Sequence, residues 1–402
     1  MKRIALFTLA VYIASIFADA IAVGSFGSIS RLIGVVAFSV SIGALFTGEA
    51  VVKPEVTHAL LTLFFCINAV SILWTIDSAG TIERSSNYFL ELLFLWIVLQ
   101  LVRSKADVQL LLKAYVTGAT VAALLSLQAY RNGAAIALHT HRYSAAGADP
   151  NELALAIAMA VPMSWYLGIK LQSRLAQVFF RACPLLLILA VLLSGSRGGA
   201  IALAASLTVI PLCLKHVGRT TKVTLVVVLV AGIIAGATLV PVESLNRLSS
   251  IGDQLTRQDM AGRGEIWAAG WAQFKLHPFV GVGAGAFPAA ISVSAITVMV
   301  AHNTYLSVLT ELGCMGFAIW LVILLRLLHL IVRMPKPERY VWGAVFLSWA
   351  IGVFALTMEY QKISWLMFAL ILAHSRQSEL ENEQLYVEWM LEQEDSLTEV
   401  RA

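Results

Sequence analysis

Charge is what this 402-residue chain has least of. Asp, Glu, Lys and Arg together make up 13% of it, against about 25% in an average soluble domain, while 59% of the residues are hydrophobic. That balance excludes a water-soluble enzyme on a single anchor and leaves a polytopic membrane protein. The net charge of +4 is small and spread over short loops, which argues against nucleic acid as a partner. Cysteine is scarce too. Cys66, Cys183, Cys213 and Cys314 all fall within apolar runs and none has metal-ligand spacing. No disulfide framework is expected, and they read as small lipid- or core-facing residues.

What the chain does have is apolar runs. A span needs roughly 20 mostly apolar residues. Twelve runs qualify, at about 4–24, 31–48, 57–75, 87–103, 108–129, 152–170, 176–194, 198–214, 222–240, 303–331, 340–358 and 361–375. The expected fold is all-α, with about 12 transmembrane helices. Met1-Lys2-Arg3 followed by apolar sequence looks like a signal peptide, but the many later spans favour a first transmembrane helix. If Lys2 and Arg3 are cytoplasmic, the same face receives Lys53, Arg103, Lys105, Lys170, Arg174, Lys215, Arg219, Lys222, Arg333, Lys336 and Arg339. The positive-inside rule then puts both termini in the cytoplasm. The opposite face, periplasmic in a Gram-negative bacterium, receives Asp77 to Asn87, Arg131 to Glu152, Arg197, and a polar island over residues 241–301 that leads into His302. Residues 1–375 thus form a transmembrane domain. Residues 376–402 form an acidic cytoplasmic tail, which reads as an interaction tail or a solvated helix.

The candidate residues lie on that second face. Arg197 sits in Ser194-Gly195-Ser196-Arg197-Gly198-Gly199, between two apolar runs. Charge at the centre of a span costs about 2.5–3.5 kcal/mol on insertion scales, so such a residue usually faces a cavity or a partner. The glycines allow close approach, and the helix they precede offers N-terminal amides to an anion. The plainer reading is an interfacial arginine snorkelling to headgroups. Arg263 begins a helix whose dipole it opposes, so it is placed for an anion or a carboxylate. His302 opens the tenth span and, when neutral, can accept a proton from a hydroxyl. Glu311 lies inside that span, as a functional group or a helix–helix partner. Arg84 is expected on a turn, solvated, paired with Glu83 or reaching a ligand. Arg142 shares a face with the other arginines. Asp149-Pro150-Asn151 reads as a turn and a helix cap. His139 and His141 alternate as two zinc ligands on a strand would, but no third ligand stands at useful spacing. Gly281-Val282-Gly283-Ala284-Gly285 follows no strand–helix pattern, and reads as a tight turn and not as a dinucleotide site. Glu359 and Lys362 are expected to pair with each other.

Taken in order, Ser196-Arg197-Gly198-Gly199, Gly262-Arg263 with Ile266-Trp267, Pro278 to Gly285, and His302-Asn303-Thr304-Tyr305-Leu306 with Gly313 and Gly316 resemble the bacterial O-antigen ligase and O-antigen polymerase superfamily. The Asp149-Pro150-Asn151 turn is similar as well. The resemblance implies a membrane-embedded, all-helical (GT-C-like) glycosyltransferase of the bacterial inner membrane that needs no metal or cofactor. Its donor would be a glycan on undecaprenyl diphosphate, and its acceptor a growing glycan chain or lipid A–core. Arg197 and Arg263 would grip the diphosphate and His302 would activate the acceptor. Arg84, Arg142, Asn151, Asn303, Tyr305 and Glu311 would contact substrate. Inversion at the anomeric carbon would follow. His302-Asn303 and Gly313-Cys314-Met315-Gly316 match the ligase pattern, but Phe317 replaces its Thr. Glu311 and the Asp149-Pro150-Asn151 turn look more like polymerase and exopolysaccharide members, the branch favoured here. A transporter of lipid-linked glycans is the alternative from another class, motivated by twelve spans. It predicts similar halves, and no internal repeat is visible. A purely structural membrane component would not need Arg197 or His302 where they stand.

Overall fold

The computed structural model describes residues 1–22, 27–47, 52–136, 142–209, 212, 218–249, 263–292 and 299–401. His139, His141, Cys213, the Lys215-His216-Val217 part of the basic loop, Gly262 and the second half of the Pro241–Gln258 stretch lie outside the described residues. The fold is helical. Among the described residues the one strand-like pairing is an isolated bridge between Ala22 and Ser28. In chain order the helices are α1 (Lys2–Ser15), α2 (Ile29–Leu45), α3 (Val56–Val70), α4 (Ser78–Leu101), α5 (Lys105–Arg131), α6 (Pro150–Lys170), α7 (Arg174–Leu193), α8 (Arg197–Leu207), α9 (Arg219–Leu239), α10 (Val242–Ser249), α11 (Arg263–Leu276), α12 (Phe287–Ile291), α13 (Thr304–Arg333), α14 (Glu338–Gly352) and α15 (Lys362–Arg401).

Among the described residues, five helices are long and apolar enough to cross a membrane: Val56–Leu73, Lys105–Arg131, Pro150–Lys170, Arg174–Leu193 and Thr304–Arg333. Each coincides with a run read from the sequence, and the protein is an integral membrane protein. Ile29–Leu45 and Arg197–Leu207 are apolar but shorter. Ion pairs join distant segments, Lys105 with Glu381 and Lys170 with Glu338.

Helix starts follow their caps. Asp77 accepts from the Gly80 amide, so α4 begins at Ser78 and not near residue 87. Asp149 accepts from the Asn151 and Glu152 amides, with Pro150 in the first turn of α6, as the sequence implies. Ser196 caps α8, so the helix starts at Arg197, and Gly198 and Gly199 lie inside its first turn instead of preceding it. The tail departs from expectation too: α15 runs from Lys362 to Arg401 without a break near residue 375.

At the centre is α6, buried on every side from Leu153 to Gly168. A helix apolar all round belongs in a core. It packs against α5, α7, α8 and α14. Hydroxyls tie these helices together by donating to carbonyls: Tyr115 to Ala156, Ser206 to Ala158 and Ser164 to Phe180. The start of α8 approaches α6 so closely that a Cβ on Gly199 would lie 2.5 Å from that of Ala154.

The feature that places the site is a break in α13. At Gly313 φ is 64° and ψ is −166°, which splits the helix into segments 304–312 and 314–333. A break inside hydrocarbon frees backbone groups, each costing several kcal/mol if left unpaired. The segment 278–285 supplies the partners. Val282 and Gly283 donate to the carbonyls of Thr310 and Glu311 at 3.1 and 2.9 Å. Cys314 and Met315 donate to Pro278 and Phe279 at 2.8 and 3.2 Å. The approach tolerates no side chain: a Cβ on Gly313 would lie 2.4 Å from the Phe279 carbonyl, and one on Gly281 would lie 2.4 Å from that of Glu311. The other side of the segment is held by the turn before α4. Ala284 donates to Ser71, Thr81 donates to the Ala284 carbonyl, and Trp74 donates to that of Val280. Gly281–Gly285 is thus more than the turn expected from the sequence. Gly313→Ala should destabilise the fold by about 2–5 kcal/mol, from left-handed strain plus overpacking. The check is thermal unfolding in detergent, and a midpoint unchanged to within about 1 °C would contradict this account of the break.

Candidate functional site

Four arginines gather where α6, α8, α10 and α11 come together. Arg142 donates through Nε to the Ser194 carbonyl at 3.0 Å and through Nη2 to Asn151 Oδ1 at 2.6 Å. Asn151 Oδ1 also accepts from Ser196, at 3.0 Å. These bonds fasten the segment before α6 to the turn before α8, which carries Arg197. Gly195, with φ of +58°, makes that turn, and its Cβ position is flanked by Arg142, Ser244 and Arg247 within 4 Å. Arg263 is the first residue of α11.

These charges are close enough to act on one another. Burial, and after it the like charges of Arg247, Arg263 and Arg197, push the Arg142 guanidinium down to about 10. It remains cationic at neutral pH, opposed only in part by Asp149. Burial also lowers Arg263, with Arg197 adding repulsion and Asp149 offsetting it. The first turns of α6, α8 and α11 add their own positive dipole ends. A half-buried cluster of mutually repelling guanidiniums is arranged for an anion with several oxygens, which planar forked donors can grip in pairs.

His302 stands next to this cluster. Among the described residues it is the one non-glycine with positive φ, at 47°. Such strain persists where the surroundings fix it, and it clusters at functional sites. The fixing groups are visible on both sides. Trp267 of α11 donates to the Ala301 carbonyl at 2.9 Å, and Asn303 caps α13 by accepting from the Leu306 amide. The next residue, Thr304, donates to the Leu356 carbonyl and accepts from the Met358 amide. Burial, then the positive charge of Arg263, lower the His302 pKa below its ordinary 6.5, with Asp149 opposing. The imidazole is therefore neutral near pH 7 and able to take a proton.

Of the residues expected from the sequence, His302, Arg197, Arg263, Arg142 and Asn151 come together here. The others sit elsewhere. Asn303 is a helix cap. The Tyr305 hydroxyl donates to the Ala350 carbonyl at 3.0 Å and ties α13 to α14. Arg84 is not on a solvated turn or paired with Glu83. It is buried on α4, donating to Glu359 at 2.9 Å and Glu311 at 3.2 Å, and its guanidinium lies 3.7 Å over the Tyr360 ring. Glu311 also accepts from the Gly285 amide, and Glu359 accepts from Ser307. This buried network fastens α4, segment 278–285, the short half of α13 and the 356–361 turn around the base of His302. The expected Glu359–Lys362 pair is absent: Glu359 is taken by Arg84, while Lys362 pairs with Asp19. Sequence reading missed Arg247. On a short amphipathic helix it looked like any solvated arginine, and no local pattern distinguishes it.

A family model described as O-antigen ligase matches residues 182–321. That stretch begins in α7 and ends in α13, and so contains Arg197, Arg247, Arg263, His302 and the broken helix. No curated protein matches the chain.

The electrostatics of His302 can be measured directly. Its modification by diethyl pyrocarbonate, followed at the His302 peptide by mass spectrometry, should titrate with a midpoint below 6.5. In Arg263→Gln the midpoint should rise toward 6.5, because a repelling charge is gone. A midpoint above 6.5 in the unaltered protein, or a downward move in the variant, would contradict this arrangement.

Proposed function

We propose that this chain, which matches a family model described as O-antigen ligase over residues 182–321, acts as a member of the O-antigen ligase and polymerase superfamily and transfers a glycan from undecaprenyl diphosphate to an acceptor glycan. The observation that carries this reading is the neutral, strained His302 beside a cluster of repelling arginines. In the proposed step an acceptor hydroxyl attacks the anomeric carbon, and His302 takes its proton. The bond from that carbon to the diphosphate breaks, and the departing oxygen keeps the electron pair. Arg197 and Arg263, with Arg142 and Arg247 behind them, stabilise the charge as it develops. Attack opposite the leaving group inverts the anomeric centre. No metal is needed, because guanidiniums do the work a divalent cation would do at the diphosphate.

The setting we propose is the inner membrane of a bacterium, with about twelve spans, both termini cytoplasmic and the site on the periplasmic face. The described parts of the 241–301 loop, α10 with Arg247 and α11 with Arg263, cover it, and the last helix continues into the cytoplasm as far as Arg401. Arg84 and Glu311 support the site and do not contact substrate, on the strength of their bonds to each other. Extension of a growing chain, the polymerase reaction, is our reading of the acceptor. Transfer to lipid A–core is the second reading, favoured by the description of the matched family. Gel analysis of surface polysaccharide from a deletion strain separates them. Single repeats on lipid A–core indicate a lost polymerase, and full-length chains held on the lipid diphosphate indicate a lost ligase.

Purified protein, given lipid-linked oligosaccharide and no nucleotide sugar, should form product. Arg197→Ala and Arg263→Ala should each lower the rate by about 10²–10³, the size of losing one charge-stabilising donor. His302→Gly should lower it by about 10²–10⁴ while leaving stability within about 1 kcal/mol, since glycine relieves the positive φ. Product formation that survives both Arg197→Ala and His302→Gly would sink the mechanism.

A further inference from the structure

Beyond the arginine cluster, on the other side of Asp149, lies a separate cavity of about 280 Å³. Its wall is made by residues 16–20 just after α1, the first turns of α6 and the 358–363 stretch that leads into α15. We propose that this cavity is the subsite for the acceptor glycan, and that it binds a phosphate-free, hydroxyl-rich sugar through Glu152 and Gln361. The proposal rests on the transferase reading given above.

The lining is what a sugar ring requires. Ala20, Ala148 and Ile363 offer apolar surface to its C–H faces over a floor of buried Phe17, Leu153 and Met358, while Asp19, Asp149, Glu152, Gln361 and Lys362 surround its edges. Carboxylates accept from hydroxyls, and an amide both accepts and donates. The polar groups differ in how far they are already engaged. Asp19 accepts from Ser28 and Ser30 and pairs with Lys362. Asp149 caps α6. The side chains of Glu152 and Gln361 make no hydrogen bond or ion pair with the described residues. A half-buried carboxylate is costly to hold without a partner, so Glu152 is the group that a ligand would satisfy.

Charge decides which ligand. Asp19 and Asp149 against the one ammonium of Lys362 leave the cavity with an excess of negative charge whether or not Glu152 carries its proton, which disfavours a diphosphate there. Across Asp149 the arginines make the opposite choice. The donor's charged end and the acceptor's neutral hydroxyls are thereby sorted to either side of one aspartate, whose charge also reaches His302. The cavity wall is joined to the base as well: the Met358 amide donates to Thr304, two residues after His302. A sugar seated against Glu152 and Gln361 would direct a hydroxyl past Asp149 toward the imidazole.

The test uses the full-length protein in detergent and two probes. One is the oligosaccharide released by mild acid from the host strain's own lipid-linked glycan. The other is undecaprenyl diphosphate. Glu152→Ala and Gln361→Ala, which alter different elements, should each weaken oligosaccharide binding by about tenfold and leave diphosphate binding within about twofold. Arg263→Ala should do the reverse. Oligosaccharide binding that is undetectable in the unaltered protein, or unchanged in both cavity variants, overturns the subsite and leaves the transferase reading standing. Failure of the unaltered protein to bind undecaprenyl diphosphate overturns the transferase reading itself. Oligosaccharide binding that still depends on Glu152 would then stand as a sugar site alone.

Discussion

The structure depends on an exchange of backbone hydrogen bonds at Gly313. A membrane helix cannot end halfway through hydrocarbon unless something accepts and donates in place of its missing turn. Here segment 278–285 does so on both sides of the break, and the turn before α4 holds that segment from behind. The consequence is a short half-helix, residues 304–312, whose N-terminus is set by tertiary contacts instead of by the straight run of α13. His302 stands at that N-terminus, with a backbone angle that only such constraint would maintain.

The buried ions make sense in that light. Arg84 bonds Glu311 on the half-helix and Glu359 on the turn behind it, and Glu311 in turn accepts from Gly285. Removing one member of such a group leaves the others charged and unpaired, at a cost of about 3–5 kcal/mol, so the network resists rearrangement. It fixes the geometry of the half-helix. The arginine cluster is its opposite. Arg142, Arg197, Arg247 and Arg263 repel one another across a half-buried space, where an arriving anion would relieve the repulsion. One group joins charges of opposite sign within the fold, and the other sets charges of like sign beside one another.

Much of this was legible in the chain. Apolar runs located the helices, because length and hydrophobicity alone decide whether a helix can cross a bilayer. Arg197, Arg263 and His302 stood out because they interrupt or border such runs, where charge is costly. The Asp149 cap followed from residue type. What could not be read locally were the pairings between distant segments. Arg84 meets Glu311 and Glu359 across more than two hundred residues of sequence, and nothing around Arg84 distinguishes a buried ion pair from a wet turn. The glycines of 281–285 pointed to a turn. That the turn inserts into a helix broken 28 residues later depends on close approach, which periodicity does not encode. Arg247 was invisible for the same reason.

The central claim is that the space between α6, α8, α11 and the start of α13 receives a lipid diphosphate. Photo-crosslinking in native membranes, with a polyprenyl diphosphate carrying a photoreactive group beside the phosphates, tests it most directly. Labelled peptides should contain residues 142–152, 194–199, 263–267 and 299–306. Labelling confined to other helices, with those four stretches unmodified, would contradict the account.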